Sequence, residues 1–275
     1  MNRLTSYGFI FALIYLAILE GDASDHVMLI QGFTISLVVA YLAFFLTWLT
    51  LDATLPVIVI GTAIFGFGGW ILAIAVVVFF ITGSLFSRLN RDLDTPNDQS
   101  ILPERRRDGL QVWANGFWAA FFCFLLFLFP LDLFLGAAFG VIATATADTW
   151  ATETGIRKPG KTISIKTRKS VPPGTEGGIS FKGTFFSILG ALLIGFFASQ
   201  EVGENAIHTF AVVSFAGFAG CLIDSYIGAV YQRSNDSDQS DHPWYSLDKD
   251  KQNSFVNWVS TGSGGLIALI LLLII

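Results

Sequence analysis

The chain has 275 residues, 53% hydrophobic and only 13% charged, with a formal net charge of −5. A mean hydropathy of +0.63 and the confinement of charge to a few loops exclude an ordinary soluble domain and imply an all-α, polytopic integral membrane protein. No nucleic-acid-binding signature is present, and Cys123 and Cys221 fall inside apolar segments without CxxC spacing or a nearby His, so both read as buried small hydrophobes.

Arg3 precedes the apolar stretch up to Leu19, which has the form of a signal peptide or a first span; a retained first helix is expected because further spans follow. Val27 to Leu51 is long enough to cross. Thr54 to Gly66 is short for a span, and Trp70 to Leu85 follows after a break at Phe67, Gly68 and Gly69. A polar segment, Ser87 to Asp108, carries turn signals at Pro96 and Pro103. Leu110 to Phe129 and Leu131 to Trp150 then form a hairpin turned at Pro130. A basic loop from Thr152 to Gly178 leads into Ile179 to Ser199, and an acidic turn with Glu201 and Glu204 precedes Ile207 to Tyr231. A polar loop, Gln232 to Asn253, leads into the last span, Ser254 to Ile275. The expected bundle has nine helices, or eight if the third and fourth are one broken element. It divides into N-terminal helices (1–86), a loop (87–109) and a five-helix core (110–275) carrying the candidate site.

The basic residues fix an expected orientation. The first long loop holds Arg88, Arg91, Arg105, Arg106 and Arg107; the second holds Arg157, Lys158, Lys161, Lys166, Arg168 and Lys169; the third holds Arg233, Lys249 and Lys251. The intervening turns at Pro130 and at Glu201 to Glu204 carry none, so the N-terminus and the three long loops are expected on the cytoplasmic side of the bilayer.

The stretch ATATADTWATETG, Ala143 to Gly155, starts in an apolar run and ends in the basic loop, placing Asp148 and Glu153 where a helix meets water. Ionisable residues at such depth mark candidate sites, against the plainer reading of a cap or a snorkelling side chain. Asn115, Asp224 and Asn257 lie roughly 6–12 Å below the same ends of their helices at 1.5 Å per residue, a depth shared with Asp148. This layer suggests a pocket opening to the basic side. Gly136 and Gly140, Ala216 and Gly220, and Ser260 and Gly264 have the small-xxx-small spacing of helix packing, and Asn115 and Asn257 read equally well as packing or site residues. A buried carboxylate adds little to packing, so Asp224 calls for a cation, a proton or a metal. Asp148 and Glu153 would lie about 140° apart on an unbroken helix and could meet one metal only if the helix ended between them.

In VPPGTEGGIS, Val171 to Ser180, two prolines stiffen the approach and Gly174, Gly177 and Gly178 allow backbone N–H groups to converge on an anion at a helix start, with Thr175 between them and Lys182 just inside the helix. An ordinary turn explains the same residues. No GKS or GKT follows at P-loop spacing.

The ordered motifs QVWANG, ADTWATETG, VPPGTEGGIS, AGCLIDSYIGAVYQ and NSFVNWVST, from about Gly68 onward, resemble the domain of unknown function 92 family. The resemblance implies a multi-pass membrane protein and, from the plant phytyl-phosphate kinase that the family includes, a kinase that converts an isoprenoid (phytyl- or prenyl-type) monophosphate into a diphosphate with CTP. Two positions depart from the family pattern: Ala147 stands where Gly or Ser is usual, and Glu176 where Asn or Ser is usual. A carboxylate at position 176 would repel a phosphate unless it bound metal.

Phosphoryl transfer needs a metal on the nucleotide phosphates, fixed cations and an aligned acceptor. The expected assignment gives Mg²⁺ to Asp148 and Asp224, further catalytic roles to Glu153 and Lys182, and nucleotide or acceptor binding to Asn115, Gly174, Thr175, Gly177, Gly178 and Asn257. The expected partners are an isoprenoid lipid phosphate, a nucleotide and the lipid bilayer. A transporter, with polar groups near the midplane and repeated halves, and a non-catalytic membrane protein are the other classes.

Overall fold

A computed structural model describes residues 2–91, 106–156, 160–203, 205–231 and 248–274. Pro96, Pro103, Arg105, Arg157, Lys158, Glu204, Arg233, Ile275 and the side chain of Arg91 lie outside the described residues. The helices are α1 (Asn2–Leu19), α2 (Ala23–Phe45), α3 (Leu51–Arg91), α4 (Gly109–Leu128), α5 (Asp132–Ile156), α6 (Phe181–Ala198), α7 (Ala206–Tyr231) and α8 (Lys249–Ile274). Seven are long and apolar enough to cross a membrane, and α1 is a shorter apolar helix. The count among the described residues is eight, the smaller expected number, because the third and fourth expected helices are one element interrupted at Gly69.

Gly69 has φ 79° and ψ −177°, a backbone state open in practice to glycine alone. Its effect is to turn α3 back on itself. Trp48, just ahead of the first arm, packs its ring 5.9 Å from Phe80 in the second, and Phe65 meets Trp70 at 4.4 Å across the bend. Unbroken, 41 residues of helix would reach about 60 Å, twice the ~30 Å hydrocarbon thickness.

Helix starts follow their caps more than their hydrophobic pattern. Asp22 and Asp25 form a capping box that starts α2 at Ala23, and Asp108 with Gln111 does the same for α4. At α6 the Ser180 hydroxyl accepts from Gly183 N at 3.1 Å.

Helix α5 is the centre of the bundle, with 72% of its span buried against 22% for α2. Its small residues admit three neighbouring backbones. A Cβ on Gly264 of α8 would fall 1.9 Å from Thr144 Oγ1, one on Gly217 of α7 would fall 2.5 Å from Ala143 Cβ, and one on Gly190 of α6 would fall 3.2 Å from Thr146. The spacing of Gly136, Gly140, Gly220 and Gly264 therefore serves close approach. Between these contacts, Phe139, Ile142, Ile194 and Val213 fill the apolar core. Indole N–H groups add ties across helices: Trp118 to Trp258 O (2.9 Å), Trp150 to Thr82 Oγ1 (3.1 Å) and Trp113 to Ser6 Oγ (3.2 Å).

The segment between α5 and α6 is more ordered than the loop expected there. Strands β1 (Thr162–Ser164) and β2 (Gly178–Ser180) pair antiparallel in the register Thr162 to Ser180, Ile163 to Ile179 and Ser164 to Gly178.

Described parts of all three long loops meet at one end of the bundle. Arg107 N donates to Trp48 O at 3.0 Å, Ser87 Oγ bonds Glu153, and Lys249 pairs with Glu176 at 3.2 Å. At the other end, a Cβ on Gly69 would lie 3.2 Å from Glu201 Oε1. The bundle thus has a basic end and an acidic end.

Candidate functional site

Asp148 lies eight residues before the end of α5 and Asp224 seven before the end of α7, so both stand about 10–12 Å below the basic end. Their carboxyl groups approach within hydrogen-bonding reach of one another. Neighbouring charges at such range must be matched by a cation or a shared proton.

Asp224 is held from α8. Ser260 Oγ donates to Asp224 Oδ2 at 2.7 Å, and the Asn257 amide, turned so that its nitrogen faces acceptors, donates to the same oxygen at 3.2 Å and to Asn253 O at 3.2 Å. Ser260 is 1% exposed, so its bond to the carboxylate is shielded from water. Cys221, one turn before Asp224, and Ser187 of α6 complete the wall behind the two acids.

Glu176 supplies a third carboxylate, close enough to act through space on both aspartates. The glycines on either side explain its position. Gly177 has φ 71° and presses on α7, where a Cβ would lie 2.3 Å from Ala229 Cβ and 2.7 Å from Ser225 O. This contact seats the loop one residue past Asp224. On the solvent side Glu176 pairs with Lys249 at the start of α8.

The glycine loop differs from the expected anion cradle. Gly178 belongs to β2 and its N–H is committed to Thr175 O at 2.8 Å, so it cannot donate to a phosphate. Thr175 is bound to Pro172 through both its N–H (3.3 Å) and its hydroxyl (2.7 Å), while Gly174, at φ 79°, makes the turn. The loop's turns and its packing on α7 instead position Glu176. Lys182 is half-buried in the first turn of α6, beside the point where Gly183 packs on Ala151 of α5.

Two other expected members have hydrogen-bond partners other than the aspartates. Asn115 donates to Gln111 O of its own helix at 2.9 Å. Glu153 is carried away because α5 runs unbroken to Ile156, which turns it about 140° from Asp148. It accepts instead from Ser87 Oγ and faces the Arg107 guanidinium. Ser260 and Ser187 were not singled out as site residues, although Ser260 follows Asn257 by three positions and so shares its face.

The two aspartates fit a Mg²⁺ site by donor chemistry, since that ion takes one or two carboxylates and completes its shell with phosphates and water. Among the described residues, no group of three or more His, Cys, Asp or Glu is placed to hold a metal ion, so any ion here would rest on the two aspartates and on ligands from outside the protein.

Comparison with known proteins agrees with the architecture. The chain is 32% identical over 218 residues to an uncharacterized membrane protein of Methanocaldococcus jannaschii, covering 78% of this chain and 83% of that one. It is 27% identical over 217 residues to an uncharacterized membrane protein of Synechocystis, covering 77% and 78%. To Protein PGR of Arabidopsis thaliana it is 26% identical over 197 residues, covering 63% and 67%. No solved structure matches. Residues 34–265 match the integral membrane protein family DUF92, so the similarity begins well before Gly68, and the chain is a member of that family.

Proposed function

We propose that the protein is a membrane-embedded, nucleotide-dependent kinase acting on an isoprenoid monophosphate, with its basic end in the cytoplasm. The observation that carries this reading is the convergence of Asp148 and Asp224, from two different helices, about 10–12 Å below the basic end. In the reaction, an oxygen of the lipid monophosphate attacks the γ-phosphorus of CTP, the bond from that phosphorus to its bridging oxygen breaks, and CDP leaves the lipid diphosphate. Asp148 and Asp224 would hold Mg²⁺, which supplies neutralisation of the phosphate charge. Ser260 and Asn257 fix the orientation of Asp224 before substrate arrives, and Lys182, in the first turn of α6, would be the cation for the phosphates. Glu176 adds a third carboxylate from the loop, with Lys249 balancing its charge.

The test incubates purified protein with prenyl alcohols and monophosphates and with CTP, ATP or UTP. Asp148→Asn and Asp224→Asn keep shape and hydrogen bonding while removing charge, so each should insert normally and lose about two orders of magnitude or more in turnover. Wild-type turnover in either variant with unchanged Mg²⁺ dependence rejects the assignment. Nucleotide-independent flux in liposomes would favour transport.

A further inference from the structure

A polar cavity opens at the basic end, on the side of α5 away from the aspartates. Leu46, Thr47, Trp48, Ser84, Ser87, Arg88 and Arg107 line it. Its construction is specific. The backbone of Arg107 is pinned between Trp48 O (3.0 Å) and Thr50 N (3.1 Å), which delivers the side chain inward. The guanidinium lies over the rings of Phe79 (5.1 Å) and Phe80 (5.3 Å) and against Gly83, where any Cβ would collide with it.

Glu153 balances one positive charge, leaving Arg88 in excess among the lining residues. The nearby acids Asp52 and Asp108 accept from Gly109 N (2.9 Å) and Gln111 N (2.8 Å) at the start of α4. The indole N–H of Trp48 is buried without an acceptor. Thr47 holds φ at 61°, a strained state for a β-branched residue. Two guanidinium groups, the Ser84 hydroxyl and an unpaired N–H around one cavity form a donor set for a phosphate, with the Ser87 hydroxyl already donating to Glu153.

The setting selects the source of that phosphate. Phe45, Leu46, Leu85 and Leu89 are 61%, 47%, 45% and 48% exposed beside the cavity, at the end of a membrane-spanning bundle. We propose that this cavity binds the phosphate headgroup of an anionic membrane phospholipid, whose acyl chains lie along those apolar side chains. The site is independent of the kinase reading, since the 140° turn of α5 separates it from Asp148.

The experiment measures thermal unfolding of the full chain in neutral detergent with added short-chain phosphatidylglycerol, short-chain phosphatidylcholine or inorganic phosphate. Phosphatidylglycerol should raise Tm in a saturable manner, and the other two should not. Arg107→Gln disturbs the packing on Phe79 and Phe80, so Arg88→Gln, on an exposed side chain, carries the test. It should weaken the apparent phosphatidylglycerol affinity about tenfold, whereas Lys166→Gln in the β1–β2 connection should leave it unchanged. Four results each overturn the proposal: no shift in the wild type, an unchanged affinity in Arg88→Gln, an equal loss in Lys166→Gln, or an equal shift with inorganic phosphate. The last would assign the cavity to a free anion.

Discussion

Glu201 faces the bend of α3 at the acidic end, and partial burial raises its carboxyl above the ordinary value of 4.5. A raised acid binds more protons folded than unfolded, so its ionisation lowers stability as pH rises from the unfolded value through the folded one. Glu201→Gln should therefore raise Tm slightly at pH 7 and leave it unchanged at pH 4, where the native carboxyl is already protonated; thermal scans at both values check this. Single residues were legible in the sequence where their setting was anomalous. Asp148 and Asp224 stand out as acids within apolar runs. Glu153 stood out with Asp148, but its facing of Arg107 did not, because that depends on α5 continuing past Thr152 and on a bridge between Leu49, ahead of α3, and Arg107, ahead of α4.

At the scale of elements, α5 carries the packing argument. Gly264→Ala drives a methyl into Thr144 and should destabilise the protein by about 1–3 kcal/mol. In a Thr144→Ala background the same substitution should cost less, so a double-mutant cycle with additive effects would show that the two do not touch. The glycine break in α3 was visible in the sequence as Gly68 and Gly69, and the observed arms begin only a few residues from the expected limits. Helix ends were less legible. Apolar patterning omits polar first turns, so α8 starts at Lys249 rather than Ser254, and α5 outlasts Trp150 by six residues. The β1–β2 pair was read as loop because its strands have three residues each, too short for an alternating pattern to register.

For the whole molecule, the gathering of basic loops at one end gives the orientation a direct check. With Cys123 and Cys221 replaced, a cysteine at exposed Thr167 should react with an impermeant thiol reagent only from the cytoplasmic side, and one at exposed Asn205 only from the opposite side. Labelling of both from one side would contradict the shared end. Either outcome also reports on the aspartates, which stand nearer the Thr167 end.

Gly69 consequently acts on more than the shape of α3. Each reversal of the chain changes which compartment the next helix enters, and every helix that forms the Asp148 and Asp224 cluster lies downstream of this bend. A residue unable to hold φ 79° would favour a single crossing where there are now two. The parity of all later segments would invert, carrying intact carboxylates to the opposite side of the membrane. A glycine remote from the chemistry is thus an address label for it, readable by reporter fusions at the C-terminus of a Gly69→Val chain.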